Sequence, residues 1–183
     1  MYRCTDDPRV PLAIIFSFRK SRFENPIVGQ FEGITQELLI ELPVLKHVAQ
    51  CRQLTAWSSE AGGQLFGTID NEHIRVIEAT GPYKGDERSR YRYRSNPMAA
   101  QRAIDERSQC GLLYLGEWHT HAEDHPSASD LDDDAMRRLI LNSRLNSDSL
   151  LMLIVGRAPD ITGLAVLSVS GAMVRTWQLR TLK

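Results

Sequence analysis

A chain of 183 residues, 42% hydrophobic and 25% charged, has the make-up of an ordinary globular domain and is long enough to bury one core. Its 22 basic and 23 acidic side chains leave a formal net charge of −1, which excludes the global positive field that captures nucleic acid or an anionic membrane. Cys4, Cys51 and Cys110, widely spaced and odd in number, resemble neither a disulfide framework nor a CxxC pair, and the apolar run 11–18 is too short for a membrane span and lacks a cleavage signal, so a cytoplasmic protein is expected.

Residues 1–34 are less regular than the rest of the chain, apart from an expected strand at 12–18, and read as an N-terminal extension. From 35 the text is orderly, and the main domain is expected over 35–183. The run 38–42 reads as a strand, and Pro43 suits the first turn of a helix whose apolar stripe is Val44, Leu45, Val48 and Ala49. Runs 62–69 and 73–79 read as strands joined at Asp70-Asn71. Over 88–94 four arginines alternate with Ser89, Tyr91 and Tyr93, which predicts one strand with tyrosines inward and arginines in water. Asn96-Pro97 opens a helix to about Gln109 that turns Ala99, Ala100 and Ile104 inward, and 111–118 is a strand running straight into His119. A helix over 130–145 then precedes strands at 150–155, 163–168 and 173–179. Strands and helices mixed around one sheet make an α/β (α+β) domain. Cys51 and Cys110, at expected helix ends, read as buried small hydrophobes rather than nucleophiles.

The chemistry concentrates in residues 116–132. His119 and His121, two apart on an extended strand, point to the same side and can share one metal ion. Asp132 completes a two-histidine, one-carboxylate set that leaves a fourth position open, as catalytic zinc sites do. Ser129-x-x-Asp132 is also a capping-box start for the helix at 130, and the two readings are compatible, because a cap fixes the helix end that presents the ligand. His125 lies in the loop after the strand and is not expected to ligate. The nearby Glu123, Asp124, Asp130, Asp133 and Asp134 read as solvated charges at the positive end of that helix. Hydrolysis with a metal-activated water also needs a base and an oxyanion donor. Glu117 shares the histidines' face and would be a crowded base. Glu60 precedes Gly62-Gly63, where backbone approaches something closely, yet sequence physics alone does not single it out among the acidic residues.

A glutamate far upstream, then HxH, seven residues, and Ser-x-x-Asp resembles the JAMM motif of the JAB/MPN metalloproteases. Here it is Glu60, His119-x-His121, residues 122–128, and Ser129-x-x-Asp132, with Glu60 in the E-x-GG-x-L-x-G context typical of prokaryotic members. The resemblance spans about 35–183. It implies a JAB/MPN metallopeptidase domain of JAB1/MPN-like fold, a cytidine-deaminase-like mixed sheet flanked by helices. It further implies Zn2+ held by His119, His121 and Asp132, Glu60 as general acid/base, and Ser129 supporting the tetrahedral intermediate. Many members have proline where this chain has Ala122, so a looser loop is expected.

The phrase 116–121 and the Arg/Tyr stretch are similar to the JAB deconjugating peptidases of bacterial type II CBASS antiphage operons. That likeness implies a deubiquitinase-like isopeptidase that frees a cGAS-like nucleotidyltransferase, joined through its C-terminus, from other proteins. The expected partner is then a protein substrate with a flexible C-terminal tail, with no nucleic acid and no membrane. The alternatives are a JAMM peptidase acting on a bacterial ubiquitin-like or sulfur-carrier protein, and a non-catalytic MPN scaffold. The scaffold is disfavoured because every motif position is filled.

Overall fold

The apolar runs of the sequence become strands that share one sheet, and the two faces of that sheet are buried by different helices. The computed structural model describes residues 23–143, 145 and 147–183; the expected strand at 12–18 and Cys4 lie outside them. Strand β1 (Ile27–Gln30) pairs antiparallel with β2 (Glu37–Ile40). The strand expected at 38–42 stops at Ile40, because Glu41 takes the N-cap position and Leu42 begins helix α1 (Leu42–Ala49). That helix carries Pro43 in its first turn and buries Val44, Leu45, Val48 and Ala49, the stripe read from its spacing.

Strands β3 (Gly62–Ile69) and β4 (His73–Ala79) form the expected hairpin. The alternating run 88–94 is not one strand. It folds back on itself as β5 (Glu87–Ser89) and β6 (Arg92–Arg94), with Arg90 and Tyr91 at the turn. Helix α2 (Pro97–Gln109) is capped by the Asn96 side chain, which accepts from the Met98 and Ala99 N–H groups. Ala103 is its buried residue, while Ala99, Ala100 and Ile104 are half-buried. Strand β7 (Leu113–Thr120) leads to α3 (Asp130–Asn142), three residues shorter than expected, and then to β8 (Ser149–Val155). A 3-10 turn (Ile161–Gly163) enters β9 (Leu164–Ser170). The strand expected at 173–179 is divided into β10 (Val174–Thr176) and β11 (Gln178–Thr181).

Among the described residues nine strands form one mixed sheet in the order β10-β9-β8-β7-β3-β4-β2-β1-β11. Because β10 and β11 sit at opposite ends of that order yet only Trp177 separates them, the two edges of the sheet meet at Trp177. Its ring is buried and stacks on Phe31 at 3.8 Å between centroids, while its Nε1 donates to Ser168. One face carries α1 over a core that includes Leu38, Leu65, Val76, Trp118 and Leu153. The other carries α3 over Leu150, Met152, Ile154 and Val169. Central strand β8 is therefore a near-continuous apolar run, as a strand covered on both faces must be. This is an α+β domain, a large mixed sheet flanked by helices.

Strand β7 carries a bulge. Leu65 pairs with Gly116 and Phe66 with Tyr114, so Leu115 is the extra residue. Gly116 sits at φ +147°, and a Cβ there would lie 1.9 Å from the Leu151 carbonyl oxygen, so only glycine fits. Beyond the bulge, Glu117 and His119 face one side and Trp118 the other. Trp118 is fully buried against α1, with Nε1 donating to the Thr80 carbonyl at 2.8 Å. Of the cysteines expected to be buried small hydrophobes, Cys51 is buried but is disulfide-bonded, and Cys110 is free and exposed at the end of α2. Among the described residues no helix is long and apolar enough to cross a membrane.

Candidate metal centre

At the end of β7, His119 and His121 share a face by strand alternation, and α3 brings Asp132 up to them. Ser129 is the N-cap of α3. Its Oγ accepts from the Asp132 N–H at 3.3 Å and donates to Asp132 Oδ2 at 2.7 Å, while its own N–H donates to Oδ2 at 2.8 Å. The capping box expected at Ser129-x-x-Asp132 is thus the device that aims the carboxylate.

The two imidazole Nε2 atoms lie 3.1 Å apart. Asp132 Oδ1 is 3.3 Å from His119 Nε2, and Oδ2 is 3.4 Å from His121 Nε2. Ligand atoms placed tetrahedrally around zinc at roughly 2.0–2.1 Å are about 3.3 Å from one another. The donor set and its spacing fit such an ion. Burial alone would raise the Asp132 carboxyl, but hydrogen bonds from both histidines outweigh it and hold it well below the usual carboxylate range. For His121, burial pulls downward and the Asp132 bond wins, so its pKa is raised. All three side chains are partly exposed, which leaves the cluster open on one side.

Glu60 reaches this cluster through the β3–β7 ladder. Gly62 is paired with His119, and the Thr120 N–H donates to the Ala61 carbonyl at 2.8 Å. Continued one step, that register sets Glu60 level with His121 and on the metal-facing side. Burial pushes the Glu60 carboxyl up to about 7, with the His121 charge opposing the rise and the Asp132 charge adding to it. A carboxyl poised there is suited to taking and returning a proton near neutral pH. The close approach expected beside Glu60 is real, since a Cβ on Gly63 would lie 1.8 Å from the Thr80 carbonyl oxygen.

Residues 44–178 match the family model described as prokaryotic homologs of the JAB domain. The chain belongs to that family. A protein of Vibrio cholerae serotype O1 named "CD-NTase/cGAS isopeptidase" is 38% identical over 62% of this chain and 72% of its own length. Proteins of the same name from Pseudomonas aeruginosa and Escherichia coli are 39% and 30% identical, over 54% and 69% of this chain and 63% and 80% of theirs. The solution structure of DSY2949 from Desulfitobacterium hafniense overlays with a TM-score of 0.55 at 19% identity, covering 75% of this chain and 87% of that one, which is a likeness of fold.

In this JAB-domain chain several neighbours of the site differ from the sequence reading. Glu117 does share the histidines' side of β7, but its carboxyl accepts from Tyr114 Oη at 2.5 Å and from Gln64 Nε2 at 3.0 Å. It belongs to a polar network that continues through Tyr83 to Thr80, and burial pushes it up to about 7. His125, as expected, is not in the cluster; its Nδ1 meets the Thr162 carbonyl at 3.0 Å. With Arg157 and Ala158 donating to the carbonyls of Glu123 and Asp124, it ties down the loop that the missing proline was expected to loosen.

The arginines of the β5–β6 hairpin are not simply in water. Arg88 Nε donates to the Glu60 carbonyl at 2.6 Å, and Arg90 donates to the carbonyls of Thr55 and Ala56. Tyr91, expected inward, is exposed, whereas Tyr93 packs against Gly62. Sequence reasoning also missed buried Gln53 and the part played by Thr120. Gln53 lies in no motif, and Thr120 is the unspecified middle position of His119-x-His121.

Proposed function

We propose that the chain is a zinc-dependent isopeptidase that cleaves after the C-terminal residue of a conjugated protein. The single observation that carries this is the convergence of His119, His121 and Asp132 at zinc-ligand spacing with Glu60 level with them. A zinc ion held by those three residues would polarise the scissile carbonyl and acidify a water molecule. Glu60 takes the proton that the attacking water gives up. It then delivers that proton to the leaving lysine amine as the carbon–nitrogen bond breaks, so the acid is released with its new hydroxyl oxygen and Glu60 returns to its carboxylate. Asp132, kept ionised by its histidine neighbours, serves as an anionic ligand throughout. Ser129 has two tasks in this reading: it orients Asp132 through its hydroxyl, and it supports the oxyanion of the tetrahedral intermediate.

The substrate class, a conjugate of a cGAS-like nucleotidyltransferase, is drawn from the relatives' shared name; its attachment to another protein through a flexible C-terminal tail, in CBASS antiphage defence, is drawn from the family resemblance carried by residues 116–121. Neither nucleic acid nor membrane is a partner in this reading, and the site of action is the cytoplasm. The test is to incubate the full chain with isopeptide conjugates made from such a nucleotidyltransferase, and with parallel conjugates of ubiquitin-like and sulfur-carrier tails. Products are read by mass spectrometry with and without a chelator. Chelator-sensitive release of an intact nucleotidyltransferase C-terminus is the expected result. Release from the ubiquitin-like or sulfur-carrier conjugates alone would move the substrate to those pathways, and no hydrolysis of any conjugate would end the enzymatic reading.

A further inference from the structure

Glu60 is held in place through its backbone, by two elements that approach from different directions. On one side the hairpin grips it: the Glu60 N–H donates to the Ser89 carbonyl at 2.8 Å, and Arg88 Nε donates to the Glu60 carbonyl at 2.6 Å. On the other side the next residue is bound to Thr120. The Ala61 N–H donates to Thr120 Oγ1 at 3.0 Å, and the Ala61 carbonyl accepts from the Thr120 N–H at 2.8 Å. Thr120 stands between the two histidines in sequence, and by strand alternation its hydroxyl points away from the cluster, into the protein.

That hydroxyl does not end the chain of contacts. Thr120 Oγ1 donates to Gln53 Oε1 at 3.3 Å, and Gln53 Nε2 donates to the Ser58 carbonyl at 3.2 Å and the Arg90 carbonyl at 2.9 Å. Ser58 lies two residues before Glu60, and Arg90 lies at the turn of the hairpin that grips it. Gln53 is 1% exposed and Thr120 0%, so the side-chain amide and hydroxyl have been taken from water and depend on these partners. One buried amide therefore ties together the loop bearing Glu60, the hairpin, and the strand bearing both histidines.

We propose that Gln53 and Thr120 are positioning residues that fix Glu60 relative to His119 and His121. This rests on the reading of Glu60 as the proton-transferring group. Misplacement of a catalytic group by about 1 Å costs on the order of 100-fold in rate, so loosening this bridge lowers turnover without removing a ligand or a substrate contact.

The test uses Thr120→Val, which keeps the side-chain shape and removes the hydroxyl, Thr120→Ser, which keeps the hydroxyl, and Gln53→Leu. Thr120→Val and Gln53→Leu are expected to lower kcat by about 10- to 100-fold with KM changed by less than about threefold, and Thr120→Ser to restore kcat to within about threefold. Zinc affinity, measured by chelator competition, is expected to stay within about threefold. In the metal-free full chain, the Ala61 amide of Thr120→Val is expected to exchange with solvent at least about tenfold faster, while amides of β8 and β9 keep their protection.

Unchanged kcat in Thr120→Val overturns the proposal. So does a loss of kcat matched by an equal loss of zinc affinity, or exchange that accelerates uniformly through the sheet. Thr120→Val carries the test if Gln53→Leu does not fold. A Glu60→Gln control separates the two readings: full turnover there removes Glu60 as the base, whereas the Ala61 exchange result stands or falls by itself.

Discussion

Ser129→Ala should weaken the helix and the metal site together, because one hydroxyl serves both. Its Oγ accepts from the Asp132 N–H at 3.3 Å as the cap of α3 and donates to the Asp132 carboxylate at 2.7 Å. Losing a serine cap costs about 1 kcal/mol of stability, which for a chain of this size lowers the melting temperature by about 2–4 °C. Losing a hydrogen bond that orients a ligand costs about 10- to 100-fold in metal affinity, equivalent to about 1.4–2.8 kcal/mol. Unfolding by urea in the metal-free chain measures the first quantity, and competition with a zinc-binding dye measures the second. Stability lowered by the expected amount with zinc affinity unchanged would refute the idea that the cap aims the ligand. At saturating zinc, any remaining deficit in kcat reports the support Ser129 gives to the oxyanion.

The same site and its neighbours lead to three more outcomes. His119→Ala is expected to abolish both zinc binding and conjugate cleavage, whereas Glu60→Gln keeps zinc and loses about 100- to 10,000-fold in turnover; metal analysis beside the cleavage assay checks both, and an active Glu60→Gln chain would remove the base. Burial raises the Glu117 carboxyl from 4.5 to about 7, so its contribution to stability is complete below about pH 4.5 and is lost as pH rises through 7. Glu117→Gln is then expected to gain, relative to the parent and at most, about 3 kcal/mol between pH 4 and pH 8; urea unfolding of the metal-free chains reads this, and a difference that does not vary with pH contradicts it.

The parts of the site that sequence made legible are those where local geometry and chemistry coincide. His119 and His121 are two apart on a strand whose apolar lead-in is plain, and Ser129 and Asp132 carry the signature of a helix start, so one short window specifies three donor atoms. Glu60 is different. Its place depends on the pairing of β3 with β7 across more than fifty residues, which periodicity does not reveal. The resemblance supplied it.

The misread elements share a physical reason as well. Arg90 and Tyr91 turn the β5–β6 hairpin without the glycine or asparagine that usually announces such a turn. Strand β1 has only four residues and is held between β2 and the distant β11, so its stability comes from pairing rather than from its own sequence. Trp177 divides what alternation presents as one strand, because the sheet's two edges meet there. Gln53 looks like any polar residue in a loop until the fold places it in the interior.

The most direct measurement is X-ray absorption at the zinc edge on the intact, zinc-loaded chain. One ion is expected, bound by two imidazole nitrogens at about 2.0–2.1 Å with oxygen completing the shell and no sulfur, and the signal should disappear in His119→Ala. Failure to retain zinc, or a shell of sulfur or of a third imidazole, would contradict the account.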